Sequence, residues 1–109
     1  MTSPQEIDSL FHALADPTRR AILARLSQGP SSVSRLAAPL SITVTAVGQH
    51  LRVLEASRLI VTRKQGRVRT CVIAPEGFSV LERWIRHHRT LWETRFDRLE
   101  LEVAADGEL

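Results

Sequence analysis

Residues 43–57 read TVTAVGQHLRVLEAS, a segment that acquires two chemically different faces when it is wound into a helix. Val47, Leu51 and Leu54 recur at helical spacing, so one side of that helix is apolar and suited to a core. The opposite side carries hydrogen-bonding residues at the same spacing: Thr45, Gln49 and Arg52. A helix with this pattern is expected to bury one side and leave the other free for a ligand.

The residues before this segment predict a second, shorter helix and a tight turn. Ser31 or Ser32 is placed to cap the shorter helix, and Pro39 is expected to end it. Residues 40–43 then form the turn, and Thr43 caps the following helix. Two short helices joined in this way form a helix-turn-helix.

The periodicity changes after Leu59. Two β-prone runs, residues 60–64 and 68–73, are separated by Gln65-Gly66-Arg67, which predicts a hairpin. The hairpin carries four cations and no acid of its own: Arg63, Lys64, Arg67 and Arg69. A basic hairpin directly after a helix-turn-helix is typical of a wing.

The remaining residues predict three further helices. The first runs from Pro4 to Ala15, the second starts at Asp16-Pro17 and stops at Gly29-Pro30, and Pro75 opens a long last helix. The predicted fold is a single winged helix-turn-helix domain, mainly α with a β-hairpin wing, in the order α-α-α-α-β-β-α. The predicted domain spans residues 1–109. It contains a recognition helix at about 43–57, a wing at about 60–73 and a C-terminal dimerisation helix at about 75–103.

Positive charge is concentrated in the middle of the chain. Between Pro17 and Pro75 there are ten Lys or Arg residues and one acid, Glu55, whereas the remaining residues carry five basic and eleven acidic groups. Fourteen of the fifteen cations are arginine, which pairs bidentately with phosphate and with guanine. This distribution predicts a polyanion-binding surface.

The composition argues against several other classes. No run of about 18 apolar residues is present, so we expect no transmembrane helix and no membrane partner. The first residues lack the features of a signal peptide, and the single Cys71 cannot form an internal disulfide, so we expect a cytoplasmic protein. No nucleophile motif, phosphate-binding glycine loop or paired-carboxylate site can be defined, and no enzyme is expected.

Together these features predict double-stranded DNA as a partner. The major groove admits one α-helix, helix-start N–H groups can meet phosphate, and a basic hairpin can follow the backbone or enter the minor groove. The predicted DNA-binding residues are Thr43, Thr45, Gln49, His50, Arg52, Arg63, Lys64, Arg67 and Arg69. A one-position error in helical phase would instead expose Ala46, His50 and Val53. The alternative from another class is a winged-helix module that binds proteins and not DNA.

Three segments resemble the ArsR-type (arsenic-repressor-like) winged-helix regulators: LADPTRRAIL at 14–23, AVGQHLRVLE at 46–55 and RKQGR at 63–67. The similarity extends from about Ile7 to Leu99. It implies a homodimeric repressor whose dimer is built from the first and last helices. It also implies, for many members, release of DNA when a ligand is sensed; the sequence identifies no small-molecule effector.

The chain departs from the usual family pattern at three places. Gly48 stands where the family often has serine, and Ser57-Arg58 replaces the usual Ala-Gly after the recognition helix. Arg58 is therefore expected in a left-handed conformation, unless the helix ends differently. Cys71 lies where an aromatic residue is common, and a half-buried packing role is expected because no second cysteine can resolve an oxidised thiol.

The resemblance also raises metal sensing as an alternative. Metal-sensing members carry a Cys-x-Cys type motif in the third helix, whereas residues 33–38 here read VSRLAA. His87 and His88 are adjacent, so on a helix they point about 100° apart and cannot readily share one ion. An inter-subunit site that combines His88 with Glu93 or Asp97 is conceivable. We predict no metal site and no cofactor.

A second copy of the chain is the other predicted partner. The last helix has more apolar surface than a small core can cover, and the first helix offers a second face. The predicted interface residues are Ile7, Leu10, Phe11, Phe78, Leu81, Trp84, Ile85, His88, Leu91, Trp92 and Leu99. The tryptophans could instead line a ligand pocket.

Overall fold

The computed structural model describes residues 3–107, with side chains from residue 3 to residue 99. The elements are, in order, α1 (Pro4–Ala15), α2 (Pro17–Leu26), β1 (Ser31–Ser32), α3 (Val33–Leu40), α4 (Val44–Ala56), β2 (Ile60–Gln65), β3 (Val68–Ile73) and α5 (Pro75–Gly107). The predicted mainly α fold with a β-hairpin wing is confirmed. Residues 1–2 and 108–109, the ends of the predicted domain, lie outside the described residues.

Capping side chains set where the helices begin. Asp16 caps α2 and Thr43 caps α4, as predicted. Ser32, and not Ser31, caps α3 by accepting a hydrogen bond at 3.3 Å from the N–H of Arg35. Because each cap satisfies a backbone donor that the helix itself leaves unpaired, the chain can start a new helix soon after the previous one ends.

Two local predictions are wrong. Ser31–Ser32 forms a short strand that the predicted element order omits, because two serines carry no strand signal and pair only when β3 is beside them. In addition, α3 continues one residue beyond Pro39. A proline in the last turn removes a single hydrogen bond, and the helix ends instead at Ser41, whose φ of 55° is left-handed.

The three strands form an antiparallel sheet in the order β1-β3-β2. Gln65 pairs with Val68, so the wing turns through two residues, and Gly66 supplies the positive φ, 62°, that such a turn requires. At the base of the wing Ser31 pairs with Cys71, which brings the start of α3 beside β3.

The core lies between the first four helices and the base of the hairpin. Its largest fully buried side chains are Ile22, Leu36, Val47, Leu51, Leu54, Leu59, Ile60 and Cys71. Because three of these lie on α4, that helix is held along one side, and its rotation about its own axis is fixed.

The turn from α4 into β2 packs closely against the start of α5. Arg58 adopts the expected left-handed conformation, with φ 58°. The N–H of Gly77 donates to the carbonyl of Arg58 at 2.9 Å. A Cβ atom on Gly77 would lie 2.5 Å from the carbonyl oxygen of Ser57, so this close approach requires glycine.

The second half of α5 extends away from the core. The radius of gyration is 19.6 Å, and the longest dimension is 73 Å. A compact chain of this length has a radius of gyration of about 13 Å. All side chains from residue 89 to residue 99 are exposed. Within residues 3–107, no helix combines the length and apolar character needed to cross a membrane.

Candidate nucleic-acid interface

The helix α4 has the two faces that its sequence predicts. Its apolar side is fully buried: Val47, Leu51 and Leu54. The predicted DNA-facing side is exposed: Thr45, Gln49 and Arg52. The alternative face is only partly exposed: Ala46, His50 and Val53. The predicted helical phase is therefore confirmed, while contact of these residues with DNA stays a prediction.

A set of hydrogen bonds connects the start of α2 to the end of α1 and to α4. The Arg19 guanidinium donates to the carbonyl oxygens of Ala13 and His12, both at 2.8 Å. Its Nη1 lies 3.3 Å from Nδ1 of His50 on α4. Because a guanidinium can only donate, Nδ1 accepts, and the proton of a neutral His50 ring lies on Nε2. Sequence reasoning missed this role of Arg19, since His50 lies far along the chain.

Asp16 places a negative charge in the same network. Its carboxylate accepts from the backbone N–H of Arg19 at 3.0 Å and lies 3.9 Å from Nδ1 of His50. The hydrogen bond from the Arg19 backbone lowers the pKa of the Asp16 carboxyl, and the charge of Arg19 acts in the same direction. His50, predicted to bind DNA, is therefore a partly exposed side chain with one ring nitrogen already engaged.

The wing brings Lys64 and Arg69 directly opposite each other on neighbouring strands. Like charges in such a pair destabilise a hairpin. Glu55, at the end of α4, offsets part of this repulsion: its carboxylate lies 4.0 Å from Arg69 Nη2 and accepts from the hydroxyl of Thr62 at 3.1 Å. Although the hairpin has no acid of its own, Arg69 therefore has a carboxylate beside it, because folding brings α4 beside β2.

The other three wing cations, Arg63, Lys64 and Arg67, are exposed. Among the side chains of residues 3–99, no carboxylate lies within 4.0 Å of any of them. Arg67 also lines the cleft between the wing and α4. The wing thus brings an uncompensated positive charge to a cleft that it shares with Val44 and Gly48 of α4.

An aromatic cluster lies where α1 meets α5. Trp84 stacks on His88 with ring centroids 4.0 Å apart, and Phe11 and Trp92 meet Trp84 in T-shaped contacts at 5.1 and 6.5 Å. His88 is partly buried, as expected. Phe11 is 42% exposed and Trp92 is 55% exposed, so the cluster is covered from only one side.

The residues predicted to form the dimer interface fall into different environments. Ile7 and Leu10 are buried in the core of the protomer, so the prediction that they offer a face to a partner is wrong; α1 turns its apolar stripe onto its own core. Phe78, Leu81 and Trp84 pack partly against the same core. Exposed apolar residues on this side are Phe11, Ile85, Leu91, Trp92, Leu99 and one that sequence reasoning missed, Phe96.

Neither a metal centre nor a reactive thiol emerges from the described side chains. In that part of the chain, no three His, Cys, Asp or Glu residues come together to hold a metal ion. The predicted absence of a metal site stays a prediction. Cys71 is fully buried, more deeply than expected, and burial raises the pKa of its thiol. A buried thiol with a raised pKa has little of the reactive thiolate form.

Comparison with known proteins points to regulators of transcription. Residues 14–63 match a family described as a helix-turn-helix domain. The HTH-type transcriptional regulator Rv2034 of Mycobacterium tuberculosis is 42% identical over 81 residues, which cover 74% of this chain and 76% of the relative. A crystal structure of an ArsR family transcriptional regulator is 48% identical with a TM-score of 0.79, covering 84% of this chain and 95% of that one. An ArsR-like transcriptional regulator from Rhodococcus sp. RHA1 is 28% identical with a TM-score of 0.82, covering 93% of each chain.

The fold and the exposed face of α4 define a DNA-binding winged helix-turn-helix protein. More closely, the chain belongs to the ArsR family of transcriptional regulators. The members of this family regulate transcription and are not enzymes, so the chain is a regulator without catalytic activity.

Proposed function

We propose that this protein is a homodimeric repressor that acts in the cytoplasm and binds an operator with inverted-repeat symmetry. One observation carries the proposal: α4 has an exposed polar face and shares a cleft with a wing whose exposed cations have no carboxylate within 4.0 Å among the side chains of residues 3–99. A buried helix would not leave such a face free, and a protein-binding module would have no need of the uncompensated charge.

In the proposed complex α4 enters the major groove. Gln49 pairs with adenine, and Arg52 reaches guanine or the neighbouring phosphate. Thr45, one turn before Gln49, contacts a base edge or the backbone. Thr43 directs the start of α4 at a phosphate, because the first N–H groups of a helix favour anions.

The wing supplies affinity more than sequence selectivity. Arg63, Lys64 and Arg67 lie along the phosphate backbone, where their contacts depend little on base sequence. A phosphate near Lys64 also relieves the repulsion between Lys64 and Arg69. Binding to DNA is therefore expected to stabilise the wing more than the number of its cations alone suggests.

Self-association follows from the exposed apolar side of α5. Trp92 and Phe96 lie on α5, and Phe11 lies on the neighbouring α1. Each of the three side chains is at least two-fifths exposed. Exposed aromatic residues at this density favour a contact with a second copy. A two-fold dimer presents two α4 helices, so its half-sites lie about one helical turn of DNA apart.

Salt dependence separates DNA binding from protein binding. Arg67→Ala is expected to weaken binding to operator DNA and to random DNA by similar factors. It is also expected to reduce the slope of log affinity against log salt concentration by about one unit per lost phosphate contact. Fluorescence anisotropy at several salt concentrations measures both effects. Arg86→Ala is the matched control, since Arg86 lies on α5 and pairs with Glu82 at 2.7 Å. Affinity for DNA that does not change with salt would contradict the proposal.

A further inference from the structure

A cleft of about 680 Å³ separates the wing from the start of α3 and the first turns of α4. Its rim carries cations and hydroxyl groups: Ser34, Arg35, Arg67, Arg69 and Thr70. No carboxylate is among the residues that line it. The charge of this rim is complementary to a nucleic-acid backbone.

The side of the cleft formed by α4 is apolar and exposed to solvent. Val44, in the first turn of α4, is 53% exposed. A β-branched residue is a poorer helix former than alanine, and an exposed one gains little from packing in return. Neither helix propensity nor the protein core therefore explains a valine at this position.

Gly48 follows Val44 by one helical turn and lines the same cleft. A Cβ atom built on Gly48 would meet no atom within 4 Å. Packing within the protein thus does not require glycine here, although glycine weakens a helix. The missing side chain leaves a hollow next to Val44 that is open to the cleft.

The major groove has one apolar feature at the base edges, the 5-methyl group of thymine. We propose that Val44 contacts a thymine methyl in each half-site and that Gly48 leaves room for that base edge to approach the helix. Thr45 and Gln49, each one residue further along, supply hydrogen bonds beside this contact. The inference rests on the proposed function, because it names a base within the same operator.

Uracil substitution tests the contact directly. The operator is first obtained by selecting fragments from random DNA with the full chain, and each thymine is then replaced by deoxyuridine, which removes only the methyl group. For the wild type, one position in each half-site is expected to weaken binding by about 3- to 5-fold, as burial of a single methyl group implies. For Val44→Ala, thymine and uracil operators are expected to bind equally, because the partner of the methyl is gone.

Two further variants complete the test. Val61→Ala removes another exposed valine, on β2 outside the cleft, and is expected to keep the preference for thymine. Gly48→Leu adds a side chain whose Cβ would meet no atom within 4 Å. It is expected to fold with wild-type circular dichroism, yet to lose more than about 10-fold in operator affinity because its side chain fills the hollow.

The outcomes separate this inference from the proposed function. An enriched operator at which uracil has no effect at any position, or has the same effect in Val44→Ala as in the wild type, overturns the thymine contact alone. A wild-type protein that enriches no sequence from random DNA overturns the proposed function, and the inference falls with it.

Discussion

Replacing Gly77 by alanine is expected to lower the free energy of unfolding by about 3 kcal/mol. The added Cβ would lie 2.5 Å from the carbonyl oxygen of Ser57 and 2.7 Å from that of Arg58. Both are backbone atoms of a turn held in place by the left-handed Arg58, so they cannot move aside as a flexible side chain would. The hydrogen bond from Gly77 to Arg58 would be strained as well.

Gly48→Ala is the matched control for this substitution. It makes the same chemical change in a helix where the new methyl group meets nothing within 4 Å, and it is expected to raise the free energy of unfolding by about 1 kcal/mol. Urea unfolding followed by circular dichroism measures both, at one protein concentration because dimerisation couples to stability. Equal changes in the two variants would show that the junction between α4 and α5 is not as tight as described.

Replacing Trp92 by alanine is expected to weaken the dimer by about 2 to 4 kcal/mol. The indole is 55% exposed in the protomer and already contacts Trp84 on one side, so a partner can cover its free side. In a two-fold interface each substitution removes two rings. Sedimentation equilibrium measures the dimer dissociation constant of the wild type and the variant.

Val61→Ala serves as the control for dimerisation, since Val61 is an exposed apolar residue on the wing and not on α5. It is expected to leave the dimer unchanged. A wild-type protein that sediments as a monomer at micromolar concentration would contradict the proposed assembly. A Trp92→Ala variant that dimerises as well as the wild type would place the interface elsewhere.

Local signals in the sequence predicted most of the fold. The caps at Asp16 and Thr43, the proline at the start of α5 and the glycine in the wing turn act on their immediate neighbours, so a short window contains the cause. The phase of α4 was predictable for the same reason, because Val47, Leu51 and Leu54 repeat within three turns.

Features that depend on contacts between distant segments were not predictable in this way. Two serines become β1 only because β3 is beside them, and Glu55 meets Arg69 only after α4 and the wing have packed. The apolar stripe of α1 shows that Leu10 is buried but not by which copy of the chain, and the structure assigns it to its own protomer. An exposed valine such as Val44 carries no signal until its surroundings are known.

The most direct test of DNA recognition by α4 compares Gln49→Ala with the wild type on two DNA fragments. One fragment carries the selected operator, and the other carries a random sequence of the same length. Both are measured at the same salt concentration. If Gln49 pairs with a base in the major groove, the variant loses about 1 to 3 kcal/mol at the operator and little on random DNA. Equal losses on both fragments would contradict sequence recognition by this face of α4.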